Sequence, residues 1–247
     1  MAVLGLGLIG GSLARALTAA GYRVVGHDRG PSGRAARRAG AVAALAPSVR
    51  EAVAGADLVV LAAPPRANRA LLSRVTRWAP QAAITDVGSV KSPIVRTAED
   101  LGLRRFVGGH PMAGAAHSGF AASRADLFRG GAWILTPTRR AAPEALAAVL
   151  RLARAVGARP VVLDAATHDR IMAFLSHVPQ LVAWALRDAA QSDGLAARHL
   201  ALAGPGFRDM TRLAKSPAPL WREVLGDNRA EVRRALAAFR RALGRRV

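Results

Sequence analysis

Two polar segments of the sequence follow short apolar runs, and both contain side chains that can take part in chemistry. One is Asp86-Val87-Gly88-Ser89-Val90-Lys91, at the end of a predicted strand at 82–86. The other is Gly109-His110-Pro111-Met112-Ala113-Gly114, after a predicted strand at 106–109. Ligands of parallel sheets bind beyond the carboxyl ends of the strands. We expect His110 to be exposed in a crevice there, where it can act as a general base, although a lone histidine more often makes a structural hydrogen bond.

A glycine-rich turn lies near the start of the chain. It follows a predicted strand at 2–4 and precedes a helical pattern at 12–20, and we expect that helix to begin at about Ile9. The glycine spacing fits G-x-G-x-x-G. In that motif the first glycine permits a tight turn, the second lets the backbone approach a pyrophosphate, and the third lets helix and strand pack closely. The amides at the start of the helix would face the phosphates. We therefore assign these residues to cofactor binding: Gly5, Gly7, Leu8, Ile9 and Gly10.

Asp28 closes the second predicted strand, at 23–26, and lies 18 residues after Gly10. A carboxylate at this position binds ribose hydroxyls and repels a 2′-phosphate, so it predicts NAD. The adjacent Arg29 leaves NADP possible. The alternative is a glycine cluster in an ordinary turn with an unrelated aspartate, but the order of strand, glycines, helix, strand and carboxylate favours the dinucleotide site. The strand before Gly5 is short, which leaves room for residues that precede Met1 in the full protein.

Strand and helix patterns alternate through the first two thirds of the chain. This alternation predicts an α/β fold with a doubly wound, mostly parallel sheet of the Rossmann type over residues 1–163. The remaining strands are predicted at 57–63, 133–136 and 160–163, and the remaining helices at 68–78, 92–101 and 143–156. We interpret residues 1–163 as the dinucleotide-binding domain.

After residue 163 the strand signals stop, and residues 164–247 predict an all-α domain. One long helical pattern covers 167–190 and is interrupted by Pro179. Shorter helices are predicted at 195–203, 210–214 and 218–224, and a final one at 229–243. The final helix places Val232, Leu236, Phe239 and Leu243 at 4-3-4 spacing, which predicts an apolar seam. That seam serves either internal packing or a dimer interface.

The composition excludes several classes of protein. Hydrophobic residues make up 51% of the 247-residue chain, so it is not disordered, and no apolar run approaches the roughly 18 residues of a membrane helix. There are no cysteines, so we expect neither disulfides nor thiolate chemistry, and we predict no metal site. The net charge of +20 comes almost entirely from scattered arginines, because only Lys91 and Lys215 are lysines. We attribute this bias to a GC-rich genome rather than to nucleic-acid binding, and we expect a cytoplasmic protein without membrane contact.

Five segments in a fixed order carry a family resemblance that runs from Gly5 to about Asn228. They are GLGLIGGS, TDVGSVK, GGHPMAG, HDRIMAFLSHVPQ and GFRDMTRLAKSPAPLW. In this order they resemble the prephenate/arogenate dehydrogenase family. The resemblance implies NAD-dependent oxidative decarboxylation of prephenate or arogenate in tyrosine biosynthesis, by a homodimer that associates through its C-terminal helices.

The resemblance also implies roles for particular residues. His110 corresponds to the catalytic base, and Ser89 lies beside the nicotinamide and the substrate. Arg212 corresponds to an arginine that pairs with a substrate carboxylate. The other positions implied to line the substrate site are Ser176, His177 and Trp221.

This chain departs from the family pattern at two places. Many prephenate-specific members have a histidine where Gln180 stands, and polar or acidic residues often occupy the positions of Ala115 and Ala116. A glutamine amide is neutral, and its oxygen can accept a hydrogen bond from an ammonium group. We therefore expect Gln180 to contact the substrate side chain, and we expect arogenate, which carries an ammonium, to be accepted at least as well as prephenate. Two other functions remain open: a β-hydroxyacid-type dehydrogenase, for which Lys215 is a poor match to the catalytic lysine, and a non-catalytic NAD-binding module.

Overall fold

The computed structural model of the protein describes residues 1–114 and 117–246. The departures at Ala115 and Ala116 therefore lie outside the described residues. The chain divides into two compact units, of which the first spans Met1–His168 and the second begins at Asp169. None of the helices in the described ranges combines the length and the apolar character needed to cross a bilayer.

An eight-stranded sheet forms the centre of the first unit, in the order β3-β2-β1-β4-β5-β6-β7-β8. Its strands are β1 Ala2–Leu4, β2 Val25–His27, β3 Ala44–Leu45, β4 Leu58–Leu61, β5 Ala83–Asp86, β6 Phe106–Pro111, β7 Ala132–Pro137 and β8 Arg159–Val162. Neighbouring strands pair in parallel except β6 and β7. The order reverses between β1 and β4, which creates a topological switch point at their carboxyl ends. The predicted doubly wound, mostly parallel Rossmann-type sheet is confirmed.

Helices cover both faces of this sheet. They are α1 Leu8–Ala19, α2 Pro31–Arg38, α3 Val49–Val53, α4 Pro65–Trp78, α5 Ser92–Asp100 and α6 Pro143–Ala155. Val3 belongs to one apolar core, with residues of α1 and α6, whereas Ala2 and Leu4 belong to another, with residues of α3, α4 and α5. Successive side chains of a strand point to opposite faces, so β1 is sandwiched between two helical layers. The loops at the carboxyl edge therefore extend from a rigid support.

The structure corrects the sequence analysis in the segment after α1. The second strand covers Val25–His27 rather than 23–26, because β1 pairs Ala2 with Val25 and leaves Arg23 beyond the register. The elements α2, β3 and α3 were not predicted. All three are short, and α2 buries only Gly33 and Ala36, so it offered little apolar pattern to detect.

The second unit is built of helices, and no strand occurs in the part of it that is described. The helix α7, Ala165–Met172, leads into it through a π-helical turn, Ala173–His177. The later helices are α8 Val178–Ser192, α9 Gly194–Arg198, α10 Pro205–Thr211, α11 Ala218–Asp227 and α12 Arg229–Gly244. Two 3-10 turns, Leu200–Leu202 and Arg212–Lys215, connect some of them.

The predicted interruption at Pro179 takes the form of the π-helical turn. Pro179 lies in the first turn of α8, where its missing amide costs least. Its ring would clash with the carbonyl of Leu175 in a continuous α-helix, and the wider turn just before it relieves that clash. As a result, Ser176 and His177 lie in a local distortion of the helix.

The apolar residues of α12 serve mainly internal packing. Val232, Leu236 and Phe239 contact a small core that also contains Ala173 and Val178. Leu243, the last member of the predicted seam, is exposed. Packing within the second unit therefore accounts for three of the four seam residues.

Candidate active site

Two glycines of the turn between β1 and α1 are required by the backbone itself. Gly5 has φ of +97°, and its amide donates to the carbonyl oxygen of His27 at 2.8 Å. A Cβ on Gly5 would lie 2.5 Å from the carbonyl oxygen of Ala62. A Cβ on Gly10 would lie 1.9 Å from the carbonyl oxygen of Gly5. Gly5 thus allows the turn to pack against the end of β4, and Gly10 allows α1 to pack against the turn.

Gly7, by contrast, is not required by packing, since a Cβ there would meet no protein atom within 4 Å. It precedes the first turn of α1, whose amino end has no side-chain cap and no acidic residue. Leu8 and Ile9 form that first turn and are half-buried. Open space beside uncapped helix amides suits an anionic group that approaches the backbone closely, such as the pyrophosphate of a dinucleotide.

Asp28 directly follows β2 and is held beside the glycine turn by two backbone hydrogen bonds. Its Oδ2 accepts from the amide of Leu6 at 2.7 Å, and its Oδ1 accepts from the amide of Gly30 at 2.7 Å. The side chain is half-buried, and each carboxylate oxygen has a second lone pair that can accept from a hydroxyl. The residues present therefore fit a dinucleotide whose ribose carries no 2′-phosphate.

A buried ion pair connects the end of β5 with the start of α5. The Lys91 ammonium donates to Asp86 Oδ2 and, at 2.7 Å, to the carbonyl oxygen of Gly109. The exposed fractions of the two side chains are 0% and 2%. Asp86 Oδ1 in turn accepts from the Gly109 amide at 3.1 Å. The pair therefore fixes both backbone groups of the residue that precedes His110.

Lys91 belongs to a segment singled out from the sequence, but no role was predicted for it. The composition held a signal, because a chain that uses arginine almost everywhere has lysine only at 91 and 215. A compact ammonium fits between one carboxylate oxygen and one carbonyl oxygen, whereas a planar guanidinium needs a wider fork of acceptors. The structure thus explains why this position is a lysine.

His110 lies on β6 and is more buried than the sequence predicted, with 8% of its surface exposed. The prediction ended the strand at Gly109, but β6 continues to Pro111 and pairs His110 with Ile134 of β7. The Nδ1 atom of His110 lies 2.8 Å from Nε2 of His168, which is fully buried on α7. The rings are T-shaped with centroids 5.1 Å apart. His168 stands in the quoted HDRIM segment, yet sequence reasoning assigned it no function.

Ser89 lies in the turn between β5 and α5 and is half-buried. The turn is fixed where Asp86 Oδ2 accepts from the amide of Gly88 at 2.8 Å. Because β5 and β6 are neighbouring parallel strands, Ser89 and His110 both belong to the carboxyl edge of the sheet. The structure therefore brings the two residues predicted to be catalytic to the same edge.

In the second unit, one candidate residue, Trp221, contacts another, the buried His177. His177 is fully buried, and its Nδ1 lies 3.1 Å from Nδ2 of Asn228, which also donates to the carbonyl oxygen of Asp169 at 2.7 Å. The Trp221 ring packs against His177 in a T-shaped contact with centroids 6.0 Å apart. Ser176, the preceding residue, is half-buried. Asn228 was not singled out from the sequence, and its position between two helices gave no motif to find.

The helix α8 anchors the 3-10 turn that carries Arg212. Gln180 Nε2 donates to the carbonyl oxygen of Leu213 at 2.9 Å, Trp184 Nε1 to that of Ala214 at 3.3 Å, and Arg187 to the same oxygen at 2.8 Å. Gln180 is fully buried, and its Oε1 has no hydrogen-bond partner within the described part of the chain. The Arg212 side chain is exposed. Contact between Gln180 and the substrate stays a prediction. Its hydrogen bond to this turn gives it a structural role that the sequence did not indicate.

The arrangement at the β1–α1 turn is that of a nucleotide-binding protein of the Rossmann class. Residues 13–162 match the family model for the prephenate dehydrogenase nucleotide-binding domain, and residues 164–245 match the model for the prephenate dehydrogenase dimerization domain. The chain belongs to the prephenate dehydrogenase family, which confirms the resemblance found in its motifs.

Individual relatives agree with this assignment. Prephenate dehydrogenase of Bacillus subtilis (strain 168) is 34% identical over 236 residues, and the match covers 92% of this chain. The match covers 64% of that relative, so the chain spans less than two thirds of its length. The crystal structure of prephenate dehydrogenase from Aquifex aeolicus, in complex with hydroxyphenyl propionate and NAD+, has a TM-score of 0.87 at 31% identity, covering 99% of this chain and 87% of that one. Synechocystis arogenate dehydrogenase has a TM-score of 0.84 at 31% identity, covering 99% and 89%.

Proposed function

We propose that the protein catalyses the NAD-dependent oxidative decarboxylation of prephenate, arogenate or both, as a step in tyrosine biosynthesis. The observation that carries this proposal is the position of His110 at the carboxyl edge of the sheet, with the backbone of the preceding Gly109 held by the Asp86–Lys91 pair and the His110 ring in contact with His168. A base fixed in this way, beside a dinucleotide cradle, supports hydride removal from a carbinol. The relatives named above carry out their reactions on prephenate or arogenate, as their names state.

The cofactor would bind across the turn formed by Gly5, Gly7 and Gly10. The uncapped amides at the start of α1 would receive its phosphates, and Asp28 would accept from the ribose hydroxyls. Asp28 also opposes a 2′-phosphate by charge, so NAD is the preferred form over NADP. When bound, the nicotinamide supplies the acceptor for the substrate's hydride.

The chain's own residues would move the proton and orient the ring. As the C–H bond of the ring carbinol gives up its hydride, Nε2 of His110 accepts the hydroxyl proton and a dienone forms. Ser89, in the turn after β5, would hydrogen-bond the reacting oxygen. The ring carboxylate then leaves as carbon dioxide, and its bonding electrons restore the aromatic ring while the ketone oxygen becomes a phenolate and takes the proton back from His110. Aromatisation makes the reaction effectively irreversible. No step in this sequence calls for a metal ion.

The resemblance also assigns substrate binding to residues of the second unit. Arg212 would form charge-assisted hydrogen bonds with a carboxylate, for which the guanidinium geometry is suited. The three contacts from α8 to the turn of Arg212 support this role, because they fix the backbone from which an exposed arginine extends. Ser176, His177, Gln180 and Trp221 would line the same site.

The assembly would be a homodimer formed by the C-terminal helices. The matched model for residues 164–245 is described as a dimerization domain. Large apolar side chains are exposed in this part of the chain, at Leu175, Leu195, Leu202 and Met210, with exposed fractions of 58% or more. Their burial between two copies of this domain would remove that apolar surface from water.

The direct test follows the absorbance of reduced cofactor with prephenate and with arogenate, each supplied with NAD and with NADP. We expect turnover with NAD, release of carbon dioxide, and arogenate used at least as well as prephenate. Binding of NAD without turnover of either substrate would instead support the non-catalytic module. Oxidation of a β-hydroxyacid, with neither cyclohexadiene used, would support the other dehydrogenase class.

Gly7→Ala tests the cofactor cradle separately from the chemistry. The added methyl group meets no protein atom, so we expect normal folding. It would occupy the space that a pyrophosphate needs, and the Kd for NAD should rise at least ~10-fold, or about 1.4 kcal/mol. Gly226→Ala, at an exposed helical glycine whose Cβ also meets nothing, is the matched control. Equal NAD affinity in both variants would show that the dinucleotide does not approach the backbone at Gly7.

A further inference from the structure

The contact between His110 and His168 has only one hydrogen to share. Nδ1 of His110 and Nε2 of His168 are 2.8 Å apart, and both side chains are buried. When both rings are neutral, either His168 donates to His110 or His110 donates to His168. The direction of this bond decides which nitrogen of His110 can accept another proton.

The two directions have opposite consequences for a base. If His168 donates, the hydrogen of neutral His110 must lie on Nε2, and that nitrogen cannot accept a proton. If His110 donates from Nδ1, its Nε2 carries a lone pair. After proton transfer, the His110 cation still donates from Nδ1 to the same acceptor, and the bond becomes stronger as the charge develops. Only the second direction is compatible with proton uptake at Nε2.

We propose that His168 is a positioning residue that holds His110 as the Nδ1–H tautomer and so presents Nε2 of His110 to the substrate hydroxyl. The proposal rests on the proposed function of His110 as the base. It also gives a role to a buried histidine, 58 positions away in the sequence, that the proposed chemistry does not otherwise use.

The start of α7 is built to hold His168 in place. Asp164 Oδ1 accepts from the amide of Thr167 at 2.9 Å, and the Asp164 carbonyl accepts from the amide of His168 at 3.0 Å. Hydrogen bonds from Thr167 keep the pKa of the Asp164 carboxyl below its ordinary value. The Ser92 hydroxyl also donates to the carbonyl oxygen of Ala165, which ties this turn to the start of α5. The position of His168 is therefore set by backbone contacts that do not depend on His110.

The tautomer can be measured in the protein without cofactor or substrate. Long-range ¹H–¹⁵N correlation spectra of ¹⁵N-histidine-labelled protein distinguish Nδ1–H from Nε2–H rings, and comparison with His110→Asn assigns the signals of His110. We expect His110 to be the Nδ1–H tautomer in the wild type and to shift toward Nε2–H in His168→Met. A wild-type His110 with its hydrogen on Nε2 would overturn the proposal whether or not the protein is an active dehydrogenase.

Turnover gives the second readout, through two substitutions of similar length. Glutamine at position 168 keeps an acceptor oxygen near the position of Nε2, whereas methionine removes it. We expect His168→Met to lower kcat by roughly 10–100-fold, the range for outer partners that orient metal-binding histidines, without changing KM for NAD. His168→Gln should recover most of that loss. His199→Met, at an exposed histidine, is the control and should match the wild type.

The outcomes separate this proposal from the proposed function. A wild type that turns over neither prephenate nor arogenate would reject the proposed function, and the spectra would still decide the tautomer. An active wild type, with His168→Met retaining normal kcat, would reject His168 as a positioning residue and leave the function intact. Equal losses in the glutamine and methionine variants would likewise reject it, since they would indicate packing rather than an acceptor.

Discussion

His110→Asn should lower kcat by about 10²–10⁴-fold, the usual contribution of a general base. Asparagine is the informative replacement because its side-chain amide lies near the position of Nδ1 and can still bond to His168. His110 pairs with Ile134 through the backbone of β6, which the substitution leaves unchanged. The variant should therefore fold normally and lose only the nitrogen that receives the proton.

The measurement combines steady-state kinetics with the Kd for NAD, determined by titration calorimetry. Since the cofactor residues belong to the β1–α1 turn and to Asp28, NAD affinity should equal that of the wild type. His199→Asn, at an exposed histidine in the second unit, serves as the control for a general effect of histidine removal. A His110→Asn enzyme with nearly normal kcat would remove His110 from the mechanism.

The fold was predictable where the sequence carries local patterns. Short stretches of sequence predicted the turn of Gly5, Gly7 and Gly10 and the buried strand β4. The absence of strand patterns after β8 likewise predicted the helical second unit. The elements α2, β3 and α3 were missed because each is short and depends on its neighbours for stability. The sequence did hold a signal for α3, since Ser48 followed by Glu51 is a typical helix start and Ser48 caps the helix in the structure. Tertiary packing decides these elements.

The site was predictable at the level of individual motifs and not at the level of contacts. His110 could be proposed from GGHPMAG, but its pairing with His168 depends on where α7 packs against β6. Gln180 is a second example. Its amide donates to the carbonyl oxygen of Leu213, 33 positions along the chain, and no local pattern predicts that contact. Its role in substrate binding stays a prediction.

Lys91→Met should destabilise the first unit by about 3–5 kcal/mol, because it leaves the Asp86 carboxylate buried without its counter-charge. Both side chains are almost completely excluded from solvent, so water cannot replace the ammonium. Urea titration followed by circular dichroism measures the loss as a lower free energy of unfolding. Lys215→Met, at the other lysine of the chain, is the exposed control and should change stability by no more than about 0.5 kcal/mol.

The double variant Asp86→Asn/Lys91→Met separates the charge of this pair from its role in positioning. Removing both charges should restore most of the lost stability, since a buried pair replaced as a whole is often close to neutral. The asparagine introduced at position 86 has one oxygen, which can accept from the Gly109 amide, but its NH2 group cannot accept from the Gly88 amide as Asp86 does. The Gly109 carbonyl would also lack the donor that Lys91 provides. We therefore expect a stable protein whose kcat remains below that of the wild type while its NAD affinity is normal. Full recovery of kcat along with stability would show that the pair serves folding alone and that His110 is positioned without it.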